Sequence, residues 1–205
     1  ETGKKMRDVW IYIIIGVGAY FVGSFSPALA MSNWVGKRDI RKYGSGNAGT
    51  TNIMRVYGVK VGIPVFLTDV LKGGLIAYFS KYFGGDIGMM IGCIMCIVGN
   101  NWPLYFGFRG GKGISATSGI LFVIYTWPTI VIFAVFASLI LFTHIVSLSS
   151  LLGLVTCAVM SFILYPADIY LHITVSALAV LGIISHRANI GRLIRGEEKK
   201  LTLKR

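Results

Sequence analysis

The sequence predicts an all-α protein, a polytopic membrane bundle of about seven helices with its N-terminus outside and its C-terminus in the cytoplasm. Three observations predict it. Hydrophobic residues make up 55% of the chain and charged residues only 14%. The apolar runs approach the ~20 residues a helical crossing needs, and they are continuous rather than alternating, which selects helices over barrel strands. Basic residues collect in a few polar loops that fall on one side, as the positive-inside rule asks of cytoplasmic segments.

The first span is expected from roughly Trp10 to Met31. Its Gly16, Gly18, Ala19, Gly23 and Ser24 favour close helix packing, and Pro27 should kink it. Residues 1–5 precede Met6, read as a natural start, and are set aside; the rest of 1–205 is expected to form one transmembrane domain. A polar loop follows, from Lys37 to Lys60. The second span covers about 61–83, Gly84-Gly85-Asp86 is a turn, and the third span covers about 87–100. A second polar loop ends in Arg109-Gly110-Gly111-Lys112-Gly113. Trp127-Pro128, His144–Ser150 and Pro166-Ala167-Asp168 then divide the apolar chain into helices at about 114–126, 128–144, 148–165 and 168–185. The third polar region begins at His186. With the N-terminus outside, fifteen of the 20 Lys and Arg residues lie within these three loops on the inner side. A five-helix arrangement, with 114–126 and one other segment re-entrant, keeps the same sidedness.

The net charge of +12 would suit nucleic acid in a soluble protein. Here the aromatics sit inside apolar runs, so no stacking platform for bases is offered. Anionic lipid and anionic substrate are the expected partners. Cys93 and Cys96 have CxxC spacing, but no second pair or nearby histidine completes a zinc site, and packing is their expected role. No metal-ligand set and no cofactor motif appears. HxxxxD and GxSxG are absent, so neither the usual acyltransferase dyad nor a serine-hydrolase site is suggested.

Three loops rich in Gly, Asn and Arg are more than connectors need. Gly110, Gly111 and Gly113 let backbone N–H groups converge as an anion nest, a helix starting near Gly113 adds its positive end, and Arg109 and Lys112 add full charges. Gly44-Ser45-Gly46-Asn47 offers a flexible backbone, a hydroxyl and an amide. Asn52 and Arg55, three apart, share a face and suit a second phosphate. His186, Asn189 and Arg192 share another, and histidine exchanges protons near neutral pH. Asp69 and Lys72 lie inside the second span at a spacing that permits a buried pair; structural lock and functional site are both open.

Together the loops resemble the bacterial integral-membrane glycerol-3-phosphate acyltransferases that use acyl phosphate as donor. The first motif matches Gly44 to Asn52 with Arg55 and Gly58. The second matches Gly99, Pro103, Phe108 and Gly110 to Gly113. The third matches His186-Arg187, Asn189-Ile190, Arg192-Leu193, Gly196 and Glu197. The resemblance implies transfer of an acyl group from acyl phosphate to the sn-1 hydroxyl of glycerol 3-phosphate, giving lysophosphatidic acid and phosphate at the cytoplasmic face of the bacterial inner membrane. It implies catalytic roles for His186, Lys112, Ser45 and the residue at position 100, and substrate binding by Gly44, Ser45, Gly46, Asn47, Asn52, Arg55, Arg109, Gly110, Gly111, Lys112, Gly113, Asn189 and Arg192. One departure stands out: the family reads Gly-His where this chain has Gly99-Asn100, and an amide cannot take a proton. Asn100 is therefore expected to weaken turnover. The alternative is a membrane transporter or channel for an organic phosphate anion; a third reading is a non-catalytic lipid-binding scaffold.

Overall fold

In the computed structural model, residues 2–201 are described, residues 2–4 by backbone alone; among them there are helices and no strand. Helix α1 (Thr2–Ser24) stops where Pro27 dictates. Proline lacks an N–H and disfavours helical backbone at the residue before it, so a new helix, α2 (Pro27–Gly36), begins with Pro27 in its first turn and the Ser26 hydroxyl accepting from the Leu29 amide. The expected kinked span is thus two helices, and the carbonyls freed at the break are met elsewhere, as described below. After a 3-10 turn (Ile40–Lys42), α3 (Thr50–Tyr57) carries the end of the first polar loop.

Helix α4 (Val59–Asn101) is a hairpin. It breaks at Gly85, whose φ of 60° and ψ of −151° only glycine adopts readily. Its arms run back to back: a Cβ on Gly92 would overlap the Ser80 side chain, and the Asn100 amide reaches the Asp69 carboxylate at 3.4 Å. Bare glycine backbones let neighbours approach closely. A Cβ on Gly23 would strike Cys96 backbone, one on Gly99 would strike α1, and one on Gly73 would strike the Ala116 carbonyl of α5 (Ile114–Ile124). The remaining helices are α6 (Thr126–Thr143), α7 (Val146–Leu164), α8 (Ile169–Ser185) and α9 (Arg187–Ile194), with a 64° bend between the last two.

Length and composition mark four stretches as able to cross a membrane, Lys5–Gly36, Val59–Phe106, Thr126–Thr143 and Val146–Leu164, and a fifth if α8 and α9 are taken together. The second of these is the hairpin, so it supplies two arms. Burial is that of a lipid-solvated bundle. Ile14, Leu141 and Phe142 point outward, while Ser24, Ser149, Ser161 and Thr174 are fully buried. Between the helices lies a core of Ala77, Met89, Cys93, Ile97, Ala116, Ile120 and Leu178; a second cluster, with Leu29, Ile40, Ile53 and Val65, supports the first polar loop.

One end of the bundle gathers the Gly85 and Pro166–Asp168 turns, for Asp86 and Asp168 line one surface recess. Tyr125 joins that end, its ring 5.4 Å from that of Tyr165. Both α5, of 11 residues, and α7, of 19, end there. At 1.5 Å per residue α5 falls short of α7 by about 12 Å at its other end. The loop before α5 therefore dips into the bundle and makes the floor of a recess.

Candidate active site

That recess is a cavity of about 290 Å³ onto which all three polar loops open. Ser45, Asn47, Asn52 and Arg55 come from the first loop. Asn100, Gly111, Lys112 and Gly113 come from the second, and His186, Asn189 and Arg192 from the third.

The first loop owes its shape to Asn52, which is 1% exposed. Its Oδ1 accepts from the Ser45 amide at 2.7 Å, and its Nδ2 donates to the carbonyls of Ile40, Tyr43 and Asn47 at 3.0–3.2 Å. Asn52 thus organises the loop with its polar atoms already engaged. Gly44 and Gly46 supply left-handed backbone (φ 62° and 76°) and do not line the cavity. Arg41 ties the first loop to the second. It pairs with Asp39 at 2.8 Å and donates from Nη1 to the carbonyls of Phe106 (2.7 Å) and Arg109 (2.9 Å). Hydrogen bonding from Arg41 holds the Asp39 carboxyl below the usual carboxylate range.

The glycine cluster does something other than the expected nest. The Gly110 and Gly111 amides donate to the carbonyls of Asn101 (3.1 Å) and Asn100 (3.2 Å), capping α4 where its last carbonyls have no helical partner. A Cβ on Gly110 would collide with the Asn100 carbonyl, and one on Gly111 would sit 2.6 Å from the Ala48 carbonyl. These glycines exist so that the loop can pack against α4 and the first loop. The side chain of Arg109 is exposed and, like Gly110, lies off the cavity lining. What the second loop presents to the cavity is Lys112, Gly113 and the start of α5. The first α5 backbone bond runs from the Thr117 amide to the Gly113 carbonyl, and no side chain caps this end, which leaves its positive pole facing the recess.

Lys112 Nζ donates to Asn189 Oδ1 at 2.5 Å. Asn189 Nδ2 donates in turn to Glu198 Oε1, which also accepts from Ser147 at 2.9 Å, while Arg192 Nε reaches Oε2 at 2.7 Å. Burial pushes the Lys112 ammonium down to about 8; Glu198 opposes that shift, and Arg192 and Arg55 reinforce it. Burial would raise Glu198, but hydrogen bonds from Arg192, Asn189 and Ser147 hold it below the usual range. His186 is 2% exposed. Burial and the Lys112 charge push it down to about 4, so it is neutral at pH 7. Its Nδ1 lies 2.8 Å from the Gly182 carbonyl, which only accepts, so the proton is on Nδ1 and Nε2 is the acceptor. Among the described residues Arg55 forms no ion pair; its Nη2 reaches the Lys200 carbonyl at 3.5 Å.

Asp69 lines the cavity, and Lys72 pairs with it at 2.8 Å. Lys72 also donates to the carbonyls of Phe25 (2.9 Å) and Gly23 (3.3 Å), which are the groups freed at the α1–α2 break. The buried cation repairs that break. Among the polar residues of the lining, Ser147, Ser150, Lys199 and Glu198 escape sequence reasoning. The serines form a hydroxyl cluster opening an apolar helix, a signal visible in the sequence. Glu198, within a basic tail, gives no such cue.

Known proteins share this architecture. Relatives named glycerol-3-phosphate acyltransferase include one from Finegoldia magna, 40% identical and aligned over 92% of this chain and 96% of its own length. Another, from Clostridioides difficile, is 36% identical over 97% of this chain and 99% of its own. The fold superimposes on crystal structures of PlsY (YgiH), an integral membrane glycerol 3-phosphate acyltransferase, at 28% identity. The glycerol 3-phosphate form gives a TM-score of 0.88 over 93% of this chain and 96% of that one; the lysophosphatidic acid form gives 0.85 over 92% and 94%. The glycerol-3-phosphate acyltransferase family profile matches residues 13–196, nearly the whole of the described bundle, and to that family this chain belongs.

Proposed function

We propose that this protein transfers an acyl group from acyl phosphate to the sn-1 hydroxyl of glycerol 3-phosphate, releasing lysophosphatidic acid and phosphate. The observation that carries the reading is the recess itself: Arg55, Lys112 and Arg192 share one cavity with His186 and an uncapped helix start, while of its two carboxylates Glu198 is paired with Arg192 and Asp69 with Lys72. Two phosphorylated substrates would supply the missing negative charge. The donor is a mixed anhydride with a good leaving group, so positioning and charge stabilisation suffice to drive the transfer.

Lys112, with Gly113 and the positive end of α5, holds the phosphate of the donor. Arg55 and Arg192, with Ser45, Asn47 and Asn189, hold glycerol 3-phosphate. His186 Nε2 accepts a hydrogen bond from the attacking hydroxyl. At about 4 the histidine is a weak base, whereas a phosphate monoester takes its second proton near ~6. The hydroxyl oxygen bonds to the acyl carbon, the bond from that carbon to the phosphate oxygen breaks, and the proton ends on phosphate. The acyl chain lies in an apolar groove between helices. The positive-inside bias of the basic loops supports a site on the cytoplasmic side of a bacterial inner membrane, with the N-terminus outside. The buried Asp69–Lys72 pair, the one feature suited to a transporter, is accounted for by the α1–α2 break.

The test is a reconstituted assay with acyl phosphate, acyl-CoA and acyl-carrier-protein donors. Phosphate release from acyl phosphate that depends on glycerol 3-phosphate is the expected result. Activity with another donor alone, or none with any, would overturn the reading.

A further inference from the structure

We propose that Gly153 on α7 is the gauge that sets which acyl chains this enzyme accepts. The proposal rests on the acyl-transfer reading above. The polar recess continues downward between α5, α6 and α7, where Ile114, Ser118, Phe133, Phe136 and Ser150 line both the recess and a deeper apolar cavity. That inner cavity is closed below by Leu121, Thr129, Leu154 and Cys157. It holds only about 50 Å³, and a single water takes up ~30 Å³ of liquid. Along α7 it reaches from Ser150 to Cys157, about 10 Å. A membrane acyl chain fills one leaflet, roughly half of a ~30 Å hydrocarbon core. It cannot end in the inner cavity.

A second apolar cavity, of about 410 Å³, lies on the outward side of α6 and α7. It runs past Val135 and Met160 to Leu164, about 16 Å along α7 from Gly153. Three residues line both the inner cavity and this outer groove: Ile132, Phe136 and Gly153. They form the boundary that the two share. That boundary is thin at Gly153, for a Cβ there would meet only Ile132 Cγ2, at 3.9 Å. On this proposal the acyl chain crosses there from the phosphate site to the groove. A chain running from the recess through this window into the groove has its head among the cations and its tail beside lipid.

The test uses the full-length protein in lipid, with butyryl, lauroyl and palmitoyl phosphate as donors. Gly153→Leu should cut kcat/KM for palmitoyl phosphate by about tenfold or more. It should leave butyryl phosphate and the KM for glycerol 3-phosphate within about twofold. Gly153→Ala, whose methyl makes only an ordinary contact, should lower kcat/KM for palmitoyl phosphate less than Gly153→Leu does. Met160→Trp obstructs the groove further along and should spare lauroyl phosphate while slowing palmitoyl phosphate. If Gly153→Leu does not fold, the Met160→Trp profile decides alone. Equal losses for all chain lengths, no loss for long chains, or a Met160→Trp profile that favours long over short donors would overturn the gauge. A parent protein inactive with every acyl phosphate would instead overturn the acyl-transfer reading itself.

Discussion

Alkaline pH offers a direct probe of Lys112. Its ammonium titrates near 8 because burial penalises the charge, so it is roughly nine-tenths protonated at pH 7, half at pH 8 and about one-tenth at pH 9. Over that interval glycerol 3-phosphate stays a dianion, since its second ionisation lies near ~6. His186, at about 4, stays neutral throughout. If the charged Lys112 holds a phosphate, kcat/KM should fall about tenfold from pH 7 to pH 9, and that quantity reports the free enzyme. Initial rates of glycerol 3-phosphate-dependent phosphate release, measured across the range, give the profile. Stability moves the other way. Between pH 8 and 10.5 the unfolded lysine binds a proton that the folded one has released, so folding becomes more favourable as pH rises through that window. A melting temperature that holds or rises while activity falls separates loss of charge from loss of fold. Lys112→Arg keeps the charge to well above pH 9 and should flatten the profile, whatever its absolute rate. A flat profile in the parent, or the same fall in Lys112→Arg, would refute the assignment.

Other perturbations test the supporting structure. Asn52→Ala removes one acceptor and three donated bonds that shape the first loop; a loss of about 2–4 kcal/mol in stability is expected, with weaker glycerol 3-phosphate binding read as a raised KM. Lys72→Met strands Asp69 and two carbonyls at the α1–α2 break, and about 3–5 kcal/mol of destabilisation should appear in denaturant or thermal unfolding. Asn100→His should raise kcat, because an imidazole there can donate to Asp69, as Asn100 does at 3.4 Å, and still present its other nitrogen to the cavity. Equal rates for the two proteins would show that turnover does not depend on a proton-accepting group at position 100.

Much of the helical layout is legible in the chain itself. Helices expected at about 114–126, 128–144, 148–165 and 168–185 are found at Ile114–Ile124, Thr126–Thr143, Val146–Leu164 and Ile169–Ser185. The Gly84-Gly85-Asp86 turn falls where the hairpin reverses. Hydropathy and turn chemistry are local, so neighbouring residues are enough to specify these elements. The gathering of Ser45, Lys112 and His186 around one space is also foreseeable, because three basic loops on one membrane side must share a surface. Within the loops, sequence does not say which polar atoms face the cavity. The Gly110 and Gly111 amides have the composition of an anion nest, yet α4 ends beside them with carbonyls unmet, and they cap it. Asn52 has the chemistry of a ligand, but four loop groups use its amide first.

Hydrophobicity, glycine and proline positions, and the distribution of charge settle by themselves that this is a helical membrane protein with a cationic end, because each acts on its own neighbourhood. Tertiary structure alone decided that Glu198 would close the network through Asn189 to Lys112, that Lys72 would repair the broken first span, and that a short α5 would carry the floor of the site into the bundle. Those outcomes depend on which unpaired groups distant segments bring within hydrogen-bond reach, and no local pattern encodes that.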